Sequence, residues 1–445
     1  MNWLKRIFSK KENSLPTFKT NEVFKVSGVP KHTFVERRTF NAKIEDYFIG
    51  RDSVLLFLGY SKSGKTVYRK KHLEKKDFSL VTFRCNNEST IDQLYNQIAS
   101  EVGLGQIITT QDQQGGKDTS SISSTLGSKD VASASASLAS EINYSYIYTE
   151  EKTKVKIDVN FLCNKLRDEQ ILIILEDYHL INSRFNKTLS EDLKHFLDDE
   201  ILFVLIGIPS SPNRALRNNP DLSGRLEHLI FDYLTKDEIR ELINSGIKKL
   251  NVWLSEDVID EIIKASMKNA FLVQYICKVL LTNNGVEETQ SKQKRIDNKN
   301  EVFKSCKEIA NKLDNDYHDI YGIINAGIRK QQENKAFNQY EEILKVLKDK
   351  EIEELEKGVH YTDIFKWAWD HMDPQKVQEF IDNGTYSDET SFKNSFRTQI
   401  KQAVEKVNQN LEKNTTRPVL YVDEGKTYLT DLIFKFYITW NEEDA

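Results

Sequence analysis

The chain has 445 residues, 39% hydrophobic and 29% charged, with a net charge of −5. A chain of this length holds about three domains, and its mild acidity excludes any global demand for nucleic acid or an anionic membrane, leaving only local patches to do so. No apolar run approaches the ~18 residues of a membrane span, the first residues lack the apolar stretch of a secretory signal, and Cys85, Cys163, Cys277 and Cys306 form no C-x-x-C pair, so a reducing, cytoplasmic setting is expected, without a zinc site or disulfide framework.

Residues 1–28 open with Trp3, Leu4, Ile7 and Phe8 on one helical face and Lys5, Arg6, Lys10 and Lys11 around them. This reads as a terminal tail or a short amphipathic helix that docks on a partner or on a membrane surface. A helix through Ile44, Tyr47 and Phe48 follows, then the apolar run Val54–Leu58, a buried strand.

After that strand Gly59, Tyr60, Ser61, Lys62, Ser63, Gly64, Lys65 and Thr66 fit the spacing G-x-x-x-x-G-K-[ST], and 67–73 is helix-compatible. Strand, glycine loop and helix is the context of a phosphate-binding loop. The two glycines let the backbone N–H groups curl toward phosphate oxygens, and the helix offers its positive N-terminal end to the same anion. Lys65 reaches the β- and γ-phosphates of ATP or ADP, and the Thr66 hydroxyl helps hold Mg²⁺.

A second strand is expected over 78–85, and a helix over 91–102 from Ile91, Leu94, Ile98 and Val102. Residues 105–140 are rich in Ser, Gly, Thr and Gln and contain no aromatic residue, so they read as an insertion that cannot order itself. Alternation through Ile142, Tyr144, Tyr146, Tyr148, Val155 and Ile157 reads as a β-hairpin at its base. The tyrosines either pack the strand's own face or stack on a base or partner.

Residues 158–169 read as a helix. The continuous run Ile171 to Leu175, ending in Glu176 and Asp177, has the pattern of a parallel strand covered on both faces, with acids at the edge where such sheets bind ligands. A helix at 189–197, a strand at 201–208 and a fifth strand at 229–231 complete the alternation of a doubly wound α/β sheet. Thr235-Lys236-Asp237-Glu238 starts a helix with a capping box. We read 29–235 as the core, 236–284 as a helical lid, and 285–337, dense in Lys, Asn, Glu and Gln, as a helical linker.

Residues 338–445 read as three helices and a hairpin turning at Glu424-Gly425-Lys426, the make-up of a winged helix. On the longest helix Phe392, Phe396, Ile400, Ala403, Val407 and Leu411 form a buried stripe. Beside it Lys393, Arg397 and Lys401 form a row that is either a solvated face or a DNA contact.

These stretches together resemble P-loop ATPases of the AAA+/STAND group, including Orc/Cdc6-like and archaeal-type ATPases that end in a winged helix. Phe34-Val35-Glu36-Arg37 is similar to their F-V-G-R opening motif, with Glu36 in the glycine position. Residues 59–66 match Walker A, Ile171 to Asp177 resembles Walker B, and Asp221 to Arg225 followed by a strand resembles the arginine segment before the lid. Leu429 to Tyr437 is similar to the D-P-x-x-x-F-Y end of the archaeal-type winged helix. The low-complexity insertion with Glu176-Asp177-Tyr178-His179 is also similar to bacterial ATP-binding proteins associated with phage defence.

The resemblance implies an ATPase that binds ATP or ADP with Mg²⁺ and includes Arg37 in the nucleotide pocket. Thr66 and Glu176 would ligate Mg²⁺ and Asp177 would orient or deprotonate water, but Glu176-Asp177 departs from the usual order, so hydrolysis would be slow and the two roles could be exchanged. Arg225 is either a finger acting across a subunit boundary or a surface ion pair, and Ser210 or Asn213 would be the first sensor. The lid lacks the second-sensor arginine, for which Lys268 is a weak substitute; His179 reads as structural.

Three functions stand at this point. One is a nucleotide switch in prokaryotic antiviral defence or signalling, acting through a homo-oligomer and an effector partner. Another is an Orc/Cdc6-like loader that touches DNA through Lys393, Arg397 and Lys401. The third is a scaffold that holds nucleotide without turnover.

Overall fold

A computed structural model describes residues 16–74, 77–104, 157–208, 216, 219–326, 338–414 and 419–441. The chain forms two compact units, one of 36–59 with 68–231, the other of 1–35, 60–67 and 232–445.

The first unit is built on five parallel strands, β1 (Val54–Leu58), β2 (Ser79–Arg84), β3 (Ile171–Glu176), β4 (Leu202–Gly207) and β5 (Leu226–Ile230), in the order β2-β3-β4-β1-β5. Every residue of β1 and β4 is buried, which explains their unbroken apolar sequence, since each face is covered by its own layer. Val54, Leu56, Ile173, Leu175 and Leu205 pack with Leu94, Leu162, Phe185, Leu189 and Phe196 of the helices Ile91–Glu101, Val159–Leu166 and Ser183–Asp198. The intervening Phe57 meets Phe231, whose ring also lies 5.0 Å from Phe40 of the helix Arg38–Gly50. β2, at the edge, alternates instead and buries Val81 and Phe83. From the neighbouring strands β1 and β4 the chain departs in opposite directions along the sheet, to β2 and to β5. Such a reversal places the ligand crevice at the carboxyl ends of strands.

From residue 232 onward the second unit carries the helices Lys236–Leu250, Glu256–Ala265 and Ala270–Asn283. Thr235 does form the capping box, its side chain accepting from Glu238 N while Glu238 returns the bond. The C-terminal part is a winged helix. It comprises the helices Gln339–Asp349, Tyr361–Asp370 and Glu389–Asn414 and a sheet of β8 (Val359–His360), β10 (Lys426–Leu429) and β9 (Leu420–Asp423), closed by the helix Leu432–Trp440. The stripe Phe392, Phe396, Ile400, Ala403, Val407 and Leu411 is buried as its spacing predicts.

Two segments pack more closely than their sequences suggest. The stretch read as a linker holds β7 (Lys294–Ile296), which pairs in parallel with β6 (Val252–Leu254), and the 27-residue helix Asn300–Ala326. That helix buries Val302, Cys306, Ile309, Leu313, Tyr317, Ile320 and Ile324 in one core with the lid and the winged helix. It is a keel, because its apolar stripe has neighbours on two sides. Likewise 16–28 is not all tail. Thr20 N donates to Glu287 O at 2.8 Å, and Phe24 is wholly buried against the lid. The first 15 residues, the insertion and hairpin through 156, Ser210 and Asn213 lie outside the described residues. No helix among the described residues is long and apolar enough to cross a membrane.

Phe24 exists at Gly246's expense. A Cβ at Gly246 would lie 2.3 Å from Phe24 Cζ. Alanine would add about 0.5–1 kcal/mol of helix preference, but the ring must move, at about 1–3 kcal/mol for an overpacked core. Gly246→Ala is therefore expected to destabilise the chain by about 1–2 kcal/mol. Urea unfolding checks this, and a gain in stability would show that Phe24 is not seated there.

Candidate nucleotide site

The loop segment 60–67 belongs to the unit that carries the lid. Gly64 sits at φ +97, where L side chains are strained, and nothing lies within 4 Å of a Cβ added there. Together with Lys65 and the exposed Thr66 at the start of the helix Lys65–His72, this open, amide-lined turn fits a phosphate group. Lys65 Nζ donates to Tyr60 O at 2.6 Å and to Ser63 Oγ at 3.4 Å, and Ser63 N donates to Tyr60 O at 3.2 Å. The lysine thus closes the loop on itself. Ser61 is half-buried.

The loop is also tied to the lid. Lys62, in a left-handed conformation at φ 60, holds its ammonium 4.1 Å from the Phe271 ring centroid. Asn269 Nδ2 donates to Lys62 O at 3.4 Å, and the same side chain caps the helix Ala270–Asn283 by accepting from Leu272 N. Tyr60 stacks on Tyr233, 6.5 Å between centroids. Lys268 Nζ lies 2.7 Å from Glu353 Oε1 of the winged-helix part. That hydrogen bond holds the Glu353 carboxyl below its usual range. Asn269, Phe271 and Glu353 escaped the sequence reading, since only packing shows which lid residue meets the loop.

In the sheet unit, Gly59 N donates to Gly207 O at 3.2 Å. The strand-end acids are placed unequally. Glu176 Oε1 lies 3.4 Å from Arg69 Nε and Oε2 3.6 Å from Arg84 Nε, with the glutamate side chain 15% exposed and that of Arg69 9%. Asp177 is exposed, in a left-handed conformation at φ 56 that ends the strand. Arg69 falls one helical turn after Lys65, a spacing visible in the sequence. Arg84 meets Glu176 only because β2 and β3 pair in parallel with these two in register.

Arg37 caps the helix Arg38–Gly50 without a side-chain cap bond, its guanidinium 5.1 Å from the Phe40 ring, and its carbonyl accepts from Tyr68 Oη at 3.1 Å. Glu36, in the glycine position of the motif, pairs with Lys71 at 2.5 Å and His72 at 3.1 Å. Burial works against the Glu36 carboxylate, yet the hydrogen bonds and charges of Lys71, Asn41 and His72 outweigh it and hold its pKa below the usual value. Arg225 Nη1 bonds Asp198 Oδ1 at 2.8 Å, with both side chains partly exposed. His179 packs beside Gly207, where a Cβ would sit 3.3 Å from His179 N. Lys393, Arg397 and Lys401 are all exposed. Lys393 lies 4.7 Å from the Trp369 ring and Lys401 5.7 Å from that of Tyr361. The four cysteines are buried and free, and no metal-ligating cluster of His, Cys, Asp and Glu occurs among the described residues.

A parallel β2-β3-β4-β1-β5 sheet and a G-x-x-x-x-G-K-T loop leaving β1 define a P-loop NTPase fold, carried here with a helical lid and a winged helix. Among solved structures the chain is similar to a Walker-type ATPase of Pyrococcus abyssi, with 12% identity over 94% of this chain and 99% of that one and a TM-score of 0.50. The Orc1 protein of Aeropyrum pernix in complex with DNA matches with 12% identity, 96% and 97% coverage and a TM-score of 0.40. A STAND protein of Pyrococcus horikoshii with a tetratricopeptide repeat sensor matches with 12% identity, 94% and 44% coverage and a TM-score of 0.35. The first likeness shows a shared fold; the other two are too distant in geometry to add to it. No protein-family model matches the sequence, and no curated protein does.

Proposed function

We propose that the chain is a slowly hydrolysing ATPase that works as a nucleotide-dependent switch. The observation that carries this is the tie between loop and lid: Lys62 is held by both Asn269 and Phe271 at the start of one lid helix. Phosphate oxygens entering the loop would take over the Lys65 ammonium from Tyr60 O, because a charged acceptor is the stronger partner. The loop carbonyls and Lys62 would then re-seat, and the lid helix with them. From the lid the change has two routes to the winged helix, the Lys268–Glu353 pair and the shared core along the helix Asn300–Ala326. In this reading Thr66 holds Mg²⁺, which neutralises phosphate charge, and Asp177 orients the attacking water. Arg37 borders the nucleotide, and Arg225, exchanging Asp198 for a neighbouring copy's γ-phosphate, acts as a finger in a homo-oligomer. The output would pass to an effector partner, in the setting of prokaryotic defence or signalling that the sequence resemblance supplies. Steady-state phosphate release, with and without duplex DNA, tests the reading: slow release that needs Lys65 and ignores DNA supports it.

The exposed row Lys393, Arg397 and Lys401 favours one other reading, an Orc/Cdc6-like loader that contacts DNA. Against it, the tip of the hairpin between β9 and β10 carries Asp423 and Glu424, acids that repel phosphate. Reversing the three charges to glutamate is expected to leave nucleotide affinity within twofold in either case. Fluorescence anisotropy with labelled duplex decides: a salt-dependent affinity in the parent chain that the triple variant loses at least tenfold establishes the loader, and equal weak binding by both removes it.

A further inference from the structure

We infer that the face of the second unit to which residues 1–15 are joined docks on an anionic lipid surface. Basic groups around Phe18 meet the headgroups, and the apolar residues of the terminal segment enter beneath them. Three stretches of chain come together at this face. Phe18 N donates to Thr289 Oγ1 and Thr289 N to Phe18 O, both at 2.9 Å, and Lys19 bridges to Glu288. Thr289 Oγ1 also donates to Lys249 O, and Gln290 N to Leu250 O, each at 2.9 Å, at the end of the helix Lys236–Leu250. A few residues on, Lys294 and Arg295 of β7 lie in register with Val252 and Trp253 of β6. The meeting gathers Lys19, Lys248, Lys249, Lys292, Lys294 and Arg295, all exposed and none of them in an ion pair among the described residues. The acids on the same stretches are Glu22, Glu287 and Glu288, so basic charge is in surplus. Lys249 Nζ lies 5.1 Å from the Phe18 ring centroid and Arg295 Cζ 4.2 Å from that of Trp253. Long basic side chains resting on half-buried rings suit a headgroup boundary, where apolar body and charged tip face different media.

Charge by itself would serve nucleic acid equally well. What favours lipid is the sequence leading into Pro16, whose carbonyl accepts from Thr289 Oγ1 at 3.5 Å. Trp3, Leu4, Ile7 and Phe8, with Lys5, Arg6, Lys10 and Lys11 around them, supply apolar groups for which a phosphate backbone has no use. Even fully extended, the chain from Lys11 to Pro16 spans only about 17 Å, so this segment stays beside the basic face. A short apolar segment binds a bilayer weakly and reversibly, and a polybasic patch next to it is the second signal that makes anchoring stable. Each Lys or Arg near an anionic surface adds about fivefold in affinity, a gain that fades beyond a Debye length of about 8 Å at physiological salt.

Co-sedimentation of the full chain with vesicles of phosphatidylcholine alone, and of an equimolar mixture with phosphatidylglycerol, tests the docking. The chain is expected to bind the mixture about tenfold or more tighter than the neutral vesicle, and added salt should weaken that binding. Trp3→Ser with Ile7→Ser, and separately Lys292→Glu with Lys294→Glu, should each lose about tenfold or more at an unchanged thermal midpoint. Lys366→Glu with Lys376→Glu makes the same change of charge at exposed positions of the winged-helix part and should bind within about twofold of the parent. Absent or equal binding to the two vesicles overturns the inference, as does a loss in the Lys366 pair that matches the loss in the Lys292 pair. Undiminished binding by the serine pair or by the Lys292 pair also overturns it. A parent chain that ignores vesicles but binds duplex DNA, and loses that binding in the Lys292 pair, would make this face a nucleic-acid contact instead. Should the Lys292 pair lower the thermal midpoint, the serine pair, which alters only residues 3 and 7, decides by itself.

Discussion

Replacing Lys65 with alanine lowers steady-state phosphate release by about 10²-fold or more, the scale of losing one preorganised charged donor at a site where negative charge develops. Two effects combine. The ammonium that would meet the β- and γ-phosphates is gone, and so is the clamp it makes on Tyr60 O and Ser63 Oγ within the loop. The loop is carried by β1, whose five residues are all buried and pair with both β4 and β5, so the fold should not follow the activity. Phosphate release read beside a thermal midpoint separates the two. Loss of release at an unchanged midpoint supports the phosphate role. Marked stimulation of the parent chain by duplex DNA would transfer the reading to a loader. Absence of release from both proteins, with ADP still bound, would leave a scaffold that holds nucleotide without turning it over.

Asp431→Ala is expected to destabilise the second unit by about 2–4 kcal/mol. Asp431 is 2% exposed and does two jobs. Its Oδ1 accepts from Ile433 N at 2.9 Å, capping the helix Leu432–Trp440, and its Oδ2 accepts from Tyr317 Oη at 2.8 Å, reaching the keel helix. Loss of a cap costs about 0.5–2 kcal/mol, and taking the acceptor from a buried hydroxyl about 1–3 kcal/mol more. Asp431→Asn keeps an acceptor oxygen for the cap and should cost less. Tyr317→Phe in the Asp431→Ala background should cost less than the sum of the two single changes, because no hydroxyl is then left behind. Urea midpoints of the four proteins close that cycle. Strict additivity would mean that the bond contributes nothing.

Much of this molecule was legible because its signals are local. Ile171 to Leu175 has the unbroken apolar pattern of a strand covered on both faces, which it forms, and the spacing from Gly59 to Thr66 pointed to a phosphate-binding loop without any coordinates. Thr235 with Glu238 marked the first lid helix, because a capping box is contained in four residues. The stripe from Phe392 to Leu411 identified the long helix of the winged fold by its period alone.

The rest depended on partners far apart in sequence. The helix Asn300–Ala326 looked like a polar spacer because its Lys, Asn and Glu residues outnumber a narrow apolar stripe; only the lid on one side and the helix Leu432–Trp440 on the other make that stripe a core. The docking of Phe24 was invisible for the same reason, since its seat is the missing side chain of Gly246. At the site, sequence order alone left Glu176 and Asp177 interchangeable. The parallel register that sets Arg84 beside Glu176, and the helix turn that carries Arg69 to it, distinguish them. Composition and period thus determined the five strands of the parallel sheet, most of the helices and the place of the glycine loop. Which of two adjacent acids is neutralised was decided by tertiary structure, because an ion pair is a matter of distance and burial that neighbouring residues in the chain do not encode.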